Sequence, residues 1–248
     1  MNDSHRLALQ DTEVFLRADK TLWWPQAQSL FVADVHLGKA AAFRASGLAV
    51  PEGTTQDNLQ RLSQAIAGTR AQRVVVLGDF LHARQAQHPL LWQALADWRQ
   101  RHRQLDVALV RGNHDRHAGD PPAALGFTLH EEPWPLGSLS ACHHPDVRPE
   151  THPETRPETC PAPQPGATSG TAPGATVLAG HVHPVVQLGG AGRDGLRLPC
   201  FVHQPGCLVL PAFGAFTGGQ PVAPAMGVDC YAVGAGRVWR LPPAGRTP

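Results

Sequence analysis

The sequence predicts an α/β fold with a partly parallel sheet, and three short apolar runs carry that reading. Ser29–Ala33, Arg73–Leu77 and Asp106–Val110 are each the right length for a buried strand and too short for a helix. Between the first two, Leu59, Leu62 and Ile66 are spaced for one helical face, with Thr54 or Thr55 as the cap. Between the second and third, Pro89 to about His102 reads as a helix that begins on proline. Strand, helix, strand, helix, strand is the pattern of a sheet whose crossovers run through helices.

The flanks are read in the same way. Glu13–Leu16 and Thr21–Trp24 flank Ala18-Asp-Lys20 as a hairpin-like pair closed by Pro25. After Val110 short strands dominate, at about 138–142, 176–179, 196–202, 207–210 and 228–240. Among them Pro145 to Ala175 carries the degenerate repeat RPETHPETRPETCP and then a Pro/Gly/Ala/Thr stretch. Such a composition has no apolar face to bury and reads as disordered. Metal-capable residues occur on both sides of it, so the chain is read as one domain, 1–248, with an insertion at about 146–175.

Composition narrows the function only a little. The 248 residues are 42% apolar and carry a formal charge of +1, so no global field draws the protein to nucleic acid or to an acidic membrane. No apolar run approaches the ~20 residues of a membrane span, and the N-terminus lacks the order of a signal peptide. The expectation is a cytoplasmic protein with no membrane partner. Five cysteines without CxxC spacing suggest neither a disulfide framework nor a zinc ribbon.

The chemistry lies at the strand boundaries. Asp34-Val-His36, Gly78-Asp79, Gly112-Asn-His-Asp115, Cys142-His-His-Pro145 and Gly180-His-Val-His183 each begin or end an apolar run. In an extended chain residues i and i+2 project to one side, so Asp34 with His36, and His181 with His183, form ligand pairs. Glycines 78, 112 and 180 allow sharp turns and close backbone approach to an ion. The crevice beyond strand C-termini is where all five segments can meet. Taken singly, each residue has a plainer reading: a turn aspartate, a solvated histidine, a turn asparagine. His82, in GDFLHAR, reads equally as a support or a substrate-facing group.

The order DxH, GD, GNHD, HHP, GHxH resembles the calcineurin-like metallophosphoesterases over nearly the whole chain. LWWP, ADVHLGKAAAFRASGLAVPEGTT, VVVLGDFLHAR, VRGNHD, GHVHP and LPCFVHQPGCLVLPAFGAFTGG resemble one branch, the bacterial ligase-associated DNA-damage-response endonucleases. The resemblance implies an αβ sandwich of two packed mixed sheets flanked by helices, with a dinuclear centre at the strand ends. It implies Asp79 as the bridge, Asp34, His36 and His183 on one metal, and Asn113, His143 and His181 on the other. The fourth motif holds both His143 and His144, and His143 fits the family's His-X-Pro pattern with Pro145 in register. Two divalent ions are expected, Mn²⁺ first, with Fe or Zn²⁺ as alternatives. His114 is expected to protonate the leaving group with Asp115 orienting its ring, and Lys39, Arg44 and His82 to contact substrate. The implied substrate is DNA, with a small nucleotide or other non-DNA phosphoester as the alternative, and the implied associates are a DNA ligase, a helicase and an exonuclease. A local basic set, Arg99, Arg101, His102 and Arg103, with Arg99 and Arg103 on one helical face, reads first as an ordinary solvated helix face and second as a further DNA contact.

Replacing Asp146 to Gly174 by a short Gly/Ser linker is expected to preserve fold and metal content, because loop-closure entropy changes slowly with length. Folding stability, measured by denaturant unfolding, is expected to shift by on the order of 1 kcal/mol. Loss of bound metal from a linker variant that still folds would show that the insertion shapes the site.

Overall fold

The computed structural model describes residues 4–51, 53–84, 87–147, 174–189 and 195–243. Most of the low-complexity stretch, with Cys160, lies outside the described residues. Two sheets face each other. The first runs in the order β1(Ser4–Leu9), β2(Thr12–Arg17), β3(Leu22–Trp24), β4(Ser29–Ala33), β5(Arg73–Leu77), β6(Asp106–Val110), β7(Phe127–His130). Its first four strands are antiparallel and the run from β4 to β7 is parallel.

The parallel strands read as continuous apolar runs because both of their faces are covered. Leu30, Val32, Val74, Val76, Val107 and Leu109 point to α2(Thr54–Thr69) and α3(Pro89–Arg101), where Leu59, Leu62, Leu95 and Trp98 complete an outer core. The alternate residues Phe31, Ala33, Val75, Leu77, Ala108 and Val110 point inward to the second sheet. The period-2 pleat thus serves two cores from one strand. Trp98 is fully buried and its indole N–H donates to Ser63 Oγ at 3.1 Å, which satisfies its single donor.

The second sheet is mixed. Its order is β14(Gln220–Val222), β11(Pro184–Gly189), β12(Gly195–Gln204), β13(Cys207–Val209), β10(Thr176–Ala179), β9(Leu139–Ala141), β8(Trp134–Leu136). β15(Asp229–Gly234) also pairs with β12, and β16(Arg237–Arg240) pairs with β15. The single strand expected over 228–240 is therefore a hairpin that turns at Ala235-Gly236, both with positive φ. Four cysteines, 142, 200, 207 and 230, are buried.

Two short helices were not expected from the pattern. α1(Lys39–Ala45) and α4(Asn113–Ala118) are one or two turns long, below the window in which helical periodicity registers. α4 corrects the turn reading of Gly112-Asn113, since Asn113 opens a helix. Asp115 reaches back to the Gly112 N–H at 3.0 Å, the acidic half of a capping box. Along the parallel strands, Asp34, Asp79 and Asn113 all follow C-terminal ends on one edge, which places the site.

Candidate metal centre

The described acid and imidazole groups converge on two adjoining sets: Asp34, His36 and His183, and Asp34, Asp79 and His143, with further groupings of His143, His144 and His181 and of His36, His82 and His114. Asp34 is common to both, and Asp79 faces a histidine of each. Asp79 Oδ2 is 3.7 Å from His36 Nε2, and its Oδ1 is 3.5 Å from His143 Nε2. On the first side His183 Nε2 stands 3.4 Å from His36 Nε2 and 3.2 Å from Asp34 Oδ1. On the other side His143 Nε2 faces Asn113 Oδ1 at 2.9 Å and His181 Nδ1 at 3.1 Å.

The tautomers are set from behind. His143 Nδ1 donates to Leu77 O at 3.1 Å and His183 Nδ1 donates to Thr217 O at 2.9 Å. With Nδ1 committed to a carbonyl, each ring turns its Nε2 inward. Burial lowers His143 to about 4, so its ring is uncharged at neutral pH. Its lone pair therefore faces the Asn113 carbonyl oxygen with no proton between them. Asp34 Oδ1 is likewise buried with no hydrogen-bond donor. Acceptors that converge without donors are the condition that a cation relieves, so this donor set fits a metal site. Burial opposes a charge on His183, but the Asp34 carboxylate, 3.2 Å from its Nε2, outweighs burial and raises its pKa.

Five of these residues sit in the left-handed backbone region: Asp34 (φ 54°), His36 (47°), Asp79 (50°), His181 (68°) and His183 (49°). Each such residue costs about 1–3 kcal/mol and persists only where its surroundings fix it. This corrects the extended-chain argument for Asp34/His36 and His181/His183. Kinks at both members of each pair, rather than a shared strand face, aim the side chains. Gly78 takes the sharp turn expected of it, with φ 72°, and the glycines have a further role. A Cβ on Gly78 would enter the His143 ring, and one on Gly112 would strike the Asp79 carboxylate. They make room for the donors themselves.

The structure assigns Asp115 another task. Its Oδ1 accepts the Leu81 N–H and its Oδ2 the Gly112 N–H, both at 3.0 Å, so neither oxygen orients the His114 ring. That ring is held by Nδ1 against the His82 carbonyl at 2.8 Å and is stacked on the His82 ring, with centroids 5.2 Å apart. His82 Nδ1 is buried without a partner, and burial lowers the ring to about 4. His144 groups with His143 and His181, but its Nδ1 is committed to Glu132 Oε1 at 2.7 Å. Lys39 is half-buried near Asp34 and Asp79, and burial lowers its pKa. Arg44 turns to its own loop, donating to Pro51 O at 2.9 Å. Arg99 is a structural clamp on Leu125 O and Leu105 O, and Arg103 lies past the end of α3, so the two share no helical face. Arg101, His102 and Arg103 line a cleft of about 780 Å³ with Arg73 and Asp106, at the N-terminal ends of β5 and β6 and away from the donors.

Three supports were missed in the sequence. Glu132 Oε2 accepts the N–H groups of His143 (2.7 Å) and His144 (2.9 Å), fixing the segment that carries the donor. Lys20 donates to Ala212 O at 2.8 Å, and Arg61 donates to Phe213 O at 3.2 Å while lying over the Phe213 ring. These two cations pin the loop whose Thr217 carbonyl holds His183. None of the three falls in a motif, and pairing across distant segments leaves no local signal.

The calcineurin-like phosphoesterase family profile matches residues 28–165. The chain belongs to that family. A structure described as Pseudomonas putida nuclease MPE is 40% identical to this phosphoesterase, covering 96% of this chain and 100% of that one at a TM-score of 0.75. That likeness is consistent with the DNA-damage-response endonuclease branch. Yfce, a phosphoesterase from E. coli, is 17% identical over 84% of this chain and 88% of that one, at a TM-score of 0.40 that bears no argument. A search of curated proteins returned no match. The phosphoesterase is therefore a metal-dependent hydrolase of phosphoester bonds.

Burial, reinforced by the charges of Asp34 and Asp115 and opposed by the His114 N–H, raises Asp79 to about 7. Below that pH the metal-free site holds a proton that loading must expel. Apparent metal affinity is expected to fall by up to about tenfold per pH unit below 7. Calorimetry in buffers of different ionisation heat should find about one more proton released from Asp79 at pH 6 than at pH 8. From this group alone, the metal-free fold is most stable below the ordinary carboxylate range and loses that contribution as pH rises through about 7. Asp79→Asn is expected to weaken loading, since a neutral amide cannot offset cationic charge as a carboxylate does. Tight metal binding with full activity in that variant would remove Asp79 from the donor set.

Proposed function

We propose that the protein is a single-domain, dinuclear metal-dependent phosphodiesterase, a DNA endonuclease of a cytoplasmic repair set that includes a ligase, a helicase and an exonuclease. The observation that carries the dinuclear reading is the position of Asp79, with one oxygen toward His36 and the other toward His143. Asp34, His36 and His183 would hold one ion and Asn113, His143 and His181 the other, both sharing Asp79. The mixed carboxylate, imidazole and amide donors suit Mn²⁺, with Fe or Zn²⁺ as alternatives. Such ions would supply a nucleophilic water and neutralise charge on the phosphate during in-line attack.

The remaining work falls to the chain's own groups. His114 Nδ1 is tied to the His82 carbonyl, so only Nε2 can give a proton to the leaving oxygen. That atom lies 3.9 Å from Asp79 Oδ2, at the edge of the donor set. His82 stacks on this ring and limits its rotation, and Lys39 adds a cation close to both aspartates. The nuclease likeness supports nucleic acid as substrate. A small nucleotide or other phosphodiester is the second reading, favoured by the turning of Arg44 and Arg99 to structural bonds.

His114→Ala is expected to keep metal content while kcat on an alkyl diester falls by roughly 10²–10⁴-fold. The loss should be smaller with a nitrophenol leaving group, which needs less protonation. An unchanged rate on the alkyl diester would remove His114 from the mechanism. To separate the two substrate readings, KM for a single-stranded oligonucleotide is expected to rise steeply with salt, because neutralised phosphates release counterions. A salt-insensitive KM equal to that of a small diester would favour the small substrate.

A further inference from the structure

Beside His183 opens a cleft of about 350 Å³ that the chemistry described above does not use. Pro184, Val185 and Pro199 line it from the sheet side, and the loop Ala212–Gly218 lines it opposite. Its basic lining residues are Lys20 and Arg197, and among the described residues no carboxylate lines it. Phe216 stands in this lining, 46% exposed, with a left-handed φ of 58°.

A single exposed phenylalanine is ordinary. This one sits on a loop fixed to the donor set at several points. The Phe213 N–H donates to Ala33 O at 2.8 Å and the Gly214 N–H to Asp34 O at 3.1 Å. Thr217, the next residue after Phe216, holds His183 through its carbonyl. The aromatic face is thus held at a set distance from the reacting centre. Arg197 bonds Gly219 O through one nitrogen, which leaves its other N–H groups for an anion.

We propose that this cleft is a nucleoside subsite, in which a base adjoining the scissile phosphate stacks on Phe216 while Arg197 meets the next phosphate. The inference rests on the nucleic-acid reading of the site and deepens it. A volume of about 350 Å³ lies at the small end of the ~300–1,000 Å³ of small-ligand pockets, the scale of one nucleoside. An aromatic face beside cations is how proteins hold single-stranded nucleic acid without reading sequence, so pyrimidine and purine should both be accepted.

The test uses the Mn²⁺-loaded protein with three substrates that share a leaving group: the p-nitrophenyl esters of thymidine 3′-phosphate and 5′-phosphate, and methyl p-nitrophenyl phosphate. The wild type should prefer one thymidine ester. Phe216→Ala should lower the thymidine-to-methyl ratio of kcat/KM for that ester by about 5- to 100-fold, mainly through KM. Phe216→Trp, which keeps a stacking face, should retain the ratio. An unchanged ratio in Phe216→Ala, or equal losses on all substrates in both variants, would overturn the subsite. If the wild type still cuts an oligonucleotide in that case, only the subsite fails. If it cuts no oligonucleotide and shows no thymidine preference, the nucleic-acid reading fails with it.

Discussion

Everything at the strand ends depends on one electrostatic conflict: hydrogen-bond acceptors are packed toward each other in a buried space. Asp34 and Asp79 are both almost inaccessible, and His143 turns a bare nitrogen toward the Asn113 carbonyl oxygen. In water each acceptor would find a donor, but here Asp34 Oδ1 has none. The metal-free protein tolerates this by keeping a proton on Asp79 up to about pH 7 and by leaving His36 and His143 uncharged. A divalent ion resolves the same conflict without a proton. The site is therefore built for cation binding by its own unfavourable energy, which the rest of the fold has to hold in place.

The frame does so at both ends of each donor. The three parallel strands β4, β5 and β6 are buried on both faces, so their C-terminal ends are rigid points from which Asp34, Asp79 and Asn113 depart. Left-handed backbone at five donor residues then bends the chain inward within one or two positions. Behind the donors, backbone carbonyls of Leu77 and Thr217 choose the imidazole tautomers. Glu132, Lys20 and Arg61 lock the segments that supply those donors and carbonyls. Strain is affordable because it is distributed over so many fixed points.

Much of this was legible in the chain. Uninterrupted apolar runs gave β4, β5 and β6 because their doubly buried faces remove polar alternation, and spaced leucines gave α2 and α3. The donors were legible because metal ligands need specific residue types at short spacing, and the five motifs keep them together. What stayed hidden depends on contacts between distant segments. β7, β8, β11 and β14 are too short or too exposed to show a pattern, and α4 is a helix of six residues. Asp115 was read as a partner of its neighbour His114, yet its oxygens go to Leu81 and Gly112 N–H groups, one of them 34 residues away. Arg99 looked like a free cation on a helix and is consumed by carbonyls beyond the helix end.

The most direct test is anomalous diffraction from crystals of the Mn²⁺-loaded protein, collected on both sides of the manganese edge. The account expects two anomalous peaks, one on each side of the Asp79 carboxylate, with Asp34, His36 and His183 around one and Asn113, His143 and His181 around the other. A single peak, or peaks held by His144 or by the cleft at the N-terminal ends of β5 and β6, would contradict it.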